Sequence, residues 1–348
     1  MSAAEDSYCE GNATLMRAAR LHRCDTTPEE LDFSVREDMP DPAISAPGEV
    51  VVTIDGAGVH RTNRHNIEEQ FSDRIPVGLP PIPQHENADF VDANGPAVRR
   101  VRRGAPVIVS PPIADGTALA CRRGRDMHGK GGDFLDLTRS GGFAEYLLTK
   151  ERNLVLIPEE LSPRAVAPHV VAGLTAYHAV KRAHYWPEPG DTVVPIGFGG
   201  PGQSAFPIPH APAAVQSIVV DRSEQTLDHE RELGARRTER ADHEPVRDVR
   251  YSTGGQGAAI PLDFVGERST CQRGLTMTHR GASCVVCALV DESRSLREGS
   301  TSREKRSWAT WSGRTANWEH MELVTERGIT LSVSDDPLRQ IDQALRSP

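Results

Sequence analysis

The run Gly197-Phe198-Gly199-Gly200-Pro201-Gly202 carries the clearest chemistry in the chain. It satisfies G-x-G-x-x-G and directly follows the apolar segment TVVPI. In such a pattern Gly197 permits a tight turn, Gly199 with Gly200 lets the backbone approach a pyrophosphate, and Gly202 lets a following helix pack on a sheet. The N–H groups at the start of that helix face the phosphates. A second apolar segment, SIVVD, ends at Asp221, nineteen residues beyond Gly202. There a carboxylate can accept two hydroxyl hydrogen bonds from an adenosine ribose, and a 2′-phosphate would meet like charge. Arg222 softens that repulsion without removing it. Strand, glycine turn, strand and acid in this order predict a dinucleotide site, with NAD preferred to NADP. Pro207, Pro209 and Pro212 oppose the helix that should follow. An interior proline costs about 3 kcal/mol, so residues 203–214 are expected to lack a regular three-turn helix.

Six cysteines are scattered at 9, 24, 121, 271, 284 and 287. That is free-thiol usage of a reducing compartment, not a disulfide framework. Cys284 and Cys287 form C-x-x-C inside ASCVVCALV, but a strand would point residues three apart to opposite faces. Two small buried residues are expected there. The first 22 residues contain no apolar run, so no signal peptide is read and the cytoplasm is the expected compartment.

At 348 residues the chain suits roughly two domains. It has 40 basic and 49 acidic residues, a net charge of −9, which argues against a nucleic-acid partner bound through its phosphates. No segment approaches the roughly 18 uninterrupted apolar residues of a membrane span, so no membrane partner is expected.

Residues 1–15 read as a disordered acidic tail. From residue 16 to about 165, short apolar runs lie between prolines and glycines. VVVTIDGAGV (50–59), APVIVS (105–110), GGFAEYLLT (141–149) and LVLIP (154–158) read as strands. After residue 166 the texture changes. AVAPHVVAGLTAYHAVKRA (165–183) has helical periodicity. DTVVPIGFGG, SIVVDRS, LDHERELGA, AAIPLDFVG and ASCVVCALV then alternate strand with helix, which predicts a parallel sheet with helical crossovers over 192–290.

With these landmarks the chain resembles the medium-chain dehydrogenase/reductase superfamily, specifically its zinc-type alcohol dehydrogenases. MRAARLH, PGEVVVTIDGAGV, PIPQHENADFV, GGFAEYLLT, AGLTAYHAVK, the glycine loop, VVDRS, ELGA, LDFVG and MELVTERGITL carry the likeness over residues 16–346. It implies an α/β protein: a GroES-like, mostly-β catalytic domain over 16–165 and 329–348, and a Rossmann doubly wound parallel-sheet domain over 166–328. It also implies hydride transfer between NAD(P) and a small alcohol, aldehyde or ketone, and a homodimer or homotetramer. Thr62 and His65 match the proton-relay hydroxyl and imidazole, Thr175 matches a residue near the nicotinamide, and Val265 of LDFVG joins the cofactor set.

The zinc positions depart from the family. Its G-V-C-x-[TS]-D is Gly58-Val59-His60-Arg61-Thr62-Asn63 here, its G-H-E is Gln84-His85-Glu86, and its third ligand is Val171. A catalytic zinc would then need His60, His85 and Glu86, a His₂Glu set open to water, with donors within about 4–5 Å of one another. The family's second zinc lobe matches Asp115, Ala118, Cys121 and Gly129, which is no ligand set, so at most one zinc per chain is expected. The family's last returning strand is missing at the C-terminus, which leaves an open sheet edge as an expectation. Two alternatives remain: a zinc-free reductase of the same superfamily, and an inactive dinucleotide-binding homologue.

Overall fold

β-Branched and small residues dominate the first half of the chain, and they form strands that pack on two faces. The computed structural model describes residues 14–21, 33–68, 82–129, 132–183, 188–205, 215–232, 235–282, 284–287, 314–331 and 333–346. Most of the proposed tail, Cys9, Cys24, the three prolines at 207–212 and residues 288–290 lie outside them.

The first half runs β1 (Leu15–Leu21), β2 (Phe33–Pro40), β3 (Glu49–Thr53), β4 (Gly56–Ala57), α1 (Arg61–Ile67), β5 (Asn87–Asn94), β6 (Pro106–Val109), β7 (Pro112–Ile113), α2 (Leu119–Arg122), β8 (Asp133–Phe134), β9 (Tyr146–Lys150) and β10 (Leu154–Leu156). Strands β10-β6-β5-β3-β9 form an antiparallel sheet to which β4 adds on β5. Val50, Val52, Val107, Val109 and Leu147 alternate onto one buried face, as a period of two requires. β1 and β2 form a separate antiparallel pair.

The second half runs α3 (Pro163–Val166), α4 (Ala172–Ala183), β11 (Thr192–Ile196), α5 (Gly200–Ala205), β12 (Gln216–Asp221), α6 (Glu224–Glu232), β13 (Arg237–Arg240), α7 (Pro245–Ser252), β14 (Ile260–Asp263), α8 (Arg268–Met277), β15 (Val285–Val286), α9 (Arg314–Arg327) and α10 (Ile341–Arg346). Strands β13-β12-β11-β14-β15 are all parallel. The order turns back at β11, which puts a crevice at the carboxyl ends of β11 and β14. This is a GroES-like β region joined to a Rossmann-type sheet.

One expectation changes. The periodic stretch 165–183 is not one helix: a 3₁₀ turn over Ala167–His169 separates α3 from α4. Pro168 in that turn has no N–H for an α-helical bond. The last described residues form helix α10, whose Ile341 and Leu345 share a core with Met16, Ala18, Leu21, Ile67 and Phe143, so this helix packs against the β region. The helix after the glycine loop is described only as far as Ala205. Cys284 and Cys287 behave as expected. Both are buried and unbridged, and they belong to different core clusters on either side of β15.

Candidate active site

β11 ends in the glycine loop. Gly197 has φ +82, and a Cβ there would run into the Val265 side chain. A Cβ on Gly202 would stand 2.5 Å from the Gly197 carbonyl oxygen. Both positions therefore need glycine, for conformation at the first and for close approach at the second. The Gly197 N–H donates to Val220 O at 2.9 Å, tying the loop to β12. Asp221 closes β12. Its Oδ2 accepts the Phe198 N–H at 2.7 Å and its Oδ1 accepts the Ser223 N–H at 2.8 Å. The carboxylate thus shapes the loop, a task the spacing alone did not reveal. Arg222 turns to Glu267, 3.2 Å away, and Arg61 of α1 reaches the same carboxylate at 2.6 Å. Val265 is set by Asp263, whose Oδ1 accepts the Val265 and Gly266 N–H groups while Oδ2 accepts the Thr270 hydroxyl. Burial pushes the Asp263 carboxyl above its usual range.

α1 carries the proton-relay candidates. Thr62 and His65 both line a cleft of about 1660 Å³, which the glycine loop, Asp221 and Val265 border from the parallel-sheet side. Burial, then the charge of Arg61, lowers the His65 pKa. Thr175, on the first turns of α4, lines the same cleft.

His60 precedes α1, and its N–H donates to Asn63 Oδ1 at 3.0 Å. Its ring lies 4.4 Å, centroid to centroid, from that of His85. The His60 Nε2 is buried with no hydrogen-bond partner. Burial, reinforced by the neighbouring His85, holds its pKa well below the ordinary imidazole value, so the ring is neutral. His85 is 4% exposed, and its Nδ1 lies 2.7 Å from Asp136 Oδ2.

Glu86 does not join them. Its Oε1 accepts the Ala172 N–H at 2.6 Å, at the start of α4, and the Val171 amide also lowers its pKa. Burial outweighs these bonds and raises the Glu86 carboxyl well above its usual range. The structure therefore brings His60 and His85 together and turns Glu86 away. Backbone amides at a helix start are strong carboxylate partners, which explains the diversion. Among the described residues no three His, Cys, Asp or Glu side chains are grouped to hold a metal ion. A catalytic zinc needs three protein donors, and as placed this site offers two imidazoles. The set does not fit that ion unless Glu86 leaves α4.

The lobe over 115–129 is held by other means. Arg152 donates to Asp126 Oδ1 at 2.6 Å and to the Cys121 carbonyl at 2.9 Å. Asp115 accepts the Thr117 N–H and hydroxyl. Asp136 and Arg152 were not singled out from the sequence, because neither sits in a motif, and Gln84 was noted only as a departure within G-H-E. Gln84 stands where the resemblance has glycine and keeps that backbone, at φ +101. Its Oε1 accepts the Glu86 N–H at 2.7 Å.

Comparison with known proteins agrees with this geometry. Residues 46–159 match the alcohol dehydrogenase GroES-like domain, and residues 202–326 match the zinc-binding dehydrogenase family. An NAD-dependent alcohol dehydrogenase of Sulfolobus acidocaldarius is 32% identical over 247 residues, 69% of this chain and 70% of that protein. The chain belongs to the zinc-type alcohol dehydrogenases of the medium-chain dehydrogenase/reductase superfamily. It is an oxidoreductase of that family. A D-arabinose 1-dehydrogenase (NADP⁺) of Saccharolobus solfataricus is 32% identical over 250 residues, 68% of each chain. The crystal structure of an alcohol dehydrogenase from Aeropyrum pernix superposes with a TM-score of 0.85 at 29% identity, covering 94% of this chain and 95% of that one. Among the described residues no helix is long and apolar enough to cross a membrane.

Proposed function

We propose that this dehydrogenase oxidises a small alcohol to an aldehyde or ketone with NAD, and NADP less well, or runs the reverse reduction. The observation that carries the reading is the single cleft shared by the glycine loop, Asp221, Thr62, His65 and Thr175. The loop amides take the pyrophosphate and Asp221 with its neighbour Arg222 takes the ribose end, while Val265 and Thr175 flank the nicotinamide. NAD, when bound, would take up the hydride of the alcohol C–H as NADH, and the Thr62 hydroxyl and His65 would carry the O–H proton away, leaving a carbonyl compound and a proton. Burial, which lowers the His65 pKa, favours passing that proton on over holding it. Residues 16–165 with 329–348 form the catalytic domain of this reading, and 166–328 the cofactor domain. A cytoplasmic homodimer or homotetramer is the accompanying assembly.

The diversion of Glu86 to α4 favours a second course, in which the reductase works without zinc. One experiment addresses both. Purified protein is offered a panel of primary and secondary alcohols with NAD and with NADP, while its metal content is measured on the same preparation. Alcohol-dependent NAD reduction supports the dehydrogenase reading, and no turnover with any alcohol or carbonyl partner rejects it. Activity with no bound zinc selects the metal-free course.

A further inference from the structure

One carboxylate in the cleft gathers cations from both halves of the chain. Glu267 is the residue before α8, where the unpaired amides of a helix start favour an acid. Its side chain makes no bond to them. It turns instead to two guanidinium groups. Oε1 accepts from Arg61 Nη2 at 2.6 Å and from Arg222 Nη2 at 3.2 Å, and Oε2 lies 3.4 Å from the same Arg222 nitrogen. Arg61 opens α1 in the first half, and Arg222 follows β12 in the parallel-sheet half. All three residues line the cleft together with Asp221 and the glycine loop.

These bonds are not a device for stability. The Glu267 side chain is 37% exposed and those of Arg61 and Arg222 are 54% and 69% exposed, so water screens the pairs. Their effect is on the charge that a ligand meets. The Arg61 hydrogen bond, more than any other cause, holds the Glu267 carboxyl below its usual range, so it is ionised at neutral pH. Two guanidinium charges are then matched by the carboxylates of Glu267 and Asp221, and the group is neutral as a whole. NADP differs from NAD by one phosphate on the adenosine ribose. Beside Asp221 that phosphate needs a cation, and the one adjacent in the chain, Arg222, is already engaged.

We propose that Glu267 is a specificity-determining residue for the cofactor: by holding the Arg222 guanidinium it withholds the cation that a 2′-phosphate requires. The proposal rests on the dinucleotide reading of the cleft given above. Discrimination then has two parts. Asp221 repels the phosphate, and Glu267 disarms the arginine that would offset the repulsion.

The test is a titration of nicotinamide fluorescence, with NADH and with NADPH, on the full-length protein and two variants. Glu267→Gln keeps the shape of the side chain and removes its charge. It should lower the Kd for NADPH by about 5- to 20-fold and move that for NADH by less than about threefold, with a smaller gain at high salt. Freeing Arg61 acts on both cofactors alike, so the ratio of the two Kd values isolates Arg222. A double variant that adds Arg222→Gln should return this ratio to that of the unmodified protein. An unchanged ratio in Glu267→Gln, or a gain that survives in the double variant, overturns the proposal. So does a failure of both proteins to bind either cofactor. The titration needs no alcohol. If the cofactors bind but no alcohol or carbonyl partner turns over, the dehydrogenase reading fails while the Kd ratio still decides this one.

Discussion

The Asp221 carboxylate and the Phe198 amide are 2.7 Å apart, so the acid that ends β12 holds the glycine loop in place before any nucleotide arrives. Asp221→Ser removes both the loop anchor and the proposed ribose acceptor. NAD affinity should fall by about 1–3 kcal/mol, on the order of 10- to 100-fold, and the gap between NAD and NADP should narrow. Titration of nicotinamide fluorescence reads both. Equal affinities in the unmodified protein would reject the ribose role.

Arg152→Met tests the lobe over 115–129. The substitution keeps an apolar stem but leaves Asp126, whose side chain is 5% exposed, without its guanidinium. A loss of about 1–3 kcal/mol is expected, visible as a drop in Tm of several degrees. An unaltered melting curve would show that the ion pair does not hold the lobe.

His169 and His320 predict an acid limit to stability. Their rings are 5.3 Å apart, with Nδ1 of the first 3.2 Å from Nε2 of the second. Burial lowers the pKa of His169 to about 4; burial, then the neighbouring His169, lowers that of His320 to about 3. The unfolded chain takes up these two protons near pH 6.5 and the folded one does not. Their contribution is therefore complete above that pH and is lost as pH falls toward 4 and below, with a limiting slope of roughly 2.7 kcal/mol per pH unit. Urea midpoints measured from pH 7 to pH 5 should decline, and His320→Gln should flatten the decline. A midpoint independent of pH across this range contradicts the assignment.

Glu230 predicts the opposite dependence. Its carboxyl is buried, both oxygens lack hydrogen-bond partners, and its pKa is pushed up to about 8, by burial first and by Asp221 second. The folded state keeps a proton that the unfolded chain loses near pH 4.5, so stability falls as pH rises from there toward 8. Glu230→Gln should match the parent near pH 4.5 and unfold at higher denaturant at pH 8. A variant less stable than its parent at pH 8 would show that the carboxyl is ionised and needed.

The sequence disclosed the parallel sheet because β11, β12 and β14 are largely apolar strands of four to six residues, each followed by a turn or a helix start. β13, with the sequence RTER, was invisible for the opposite reason: it is a charged edge strand defined by its partner β12. The glycine loop was legible because backbone geometry forces glycine at Gly197 and Gly202. The His60–His85 pair was found through the family's positions, but the fate of Glu86 was not, since residues 86 apart in the chain decide it. Asp136 lay in a loop with no pattern at all. Its importance comes from burial and a positive φ, which only coordinates reveal.

The bond from Glu86 to the Ala172 amide joins the residue before β5 to the start of α4. It is a mechanical tether. Any hinge movement that draws α4 away from the start of β5 must stretch or break it, and a carboxylate released in that way becomes a free donor beside His85. The opening of the cleft and the number of donor atoms within it are thus geared to one another through the amides at the start of α4.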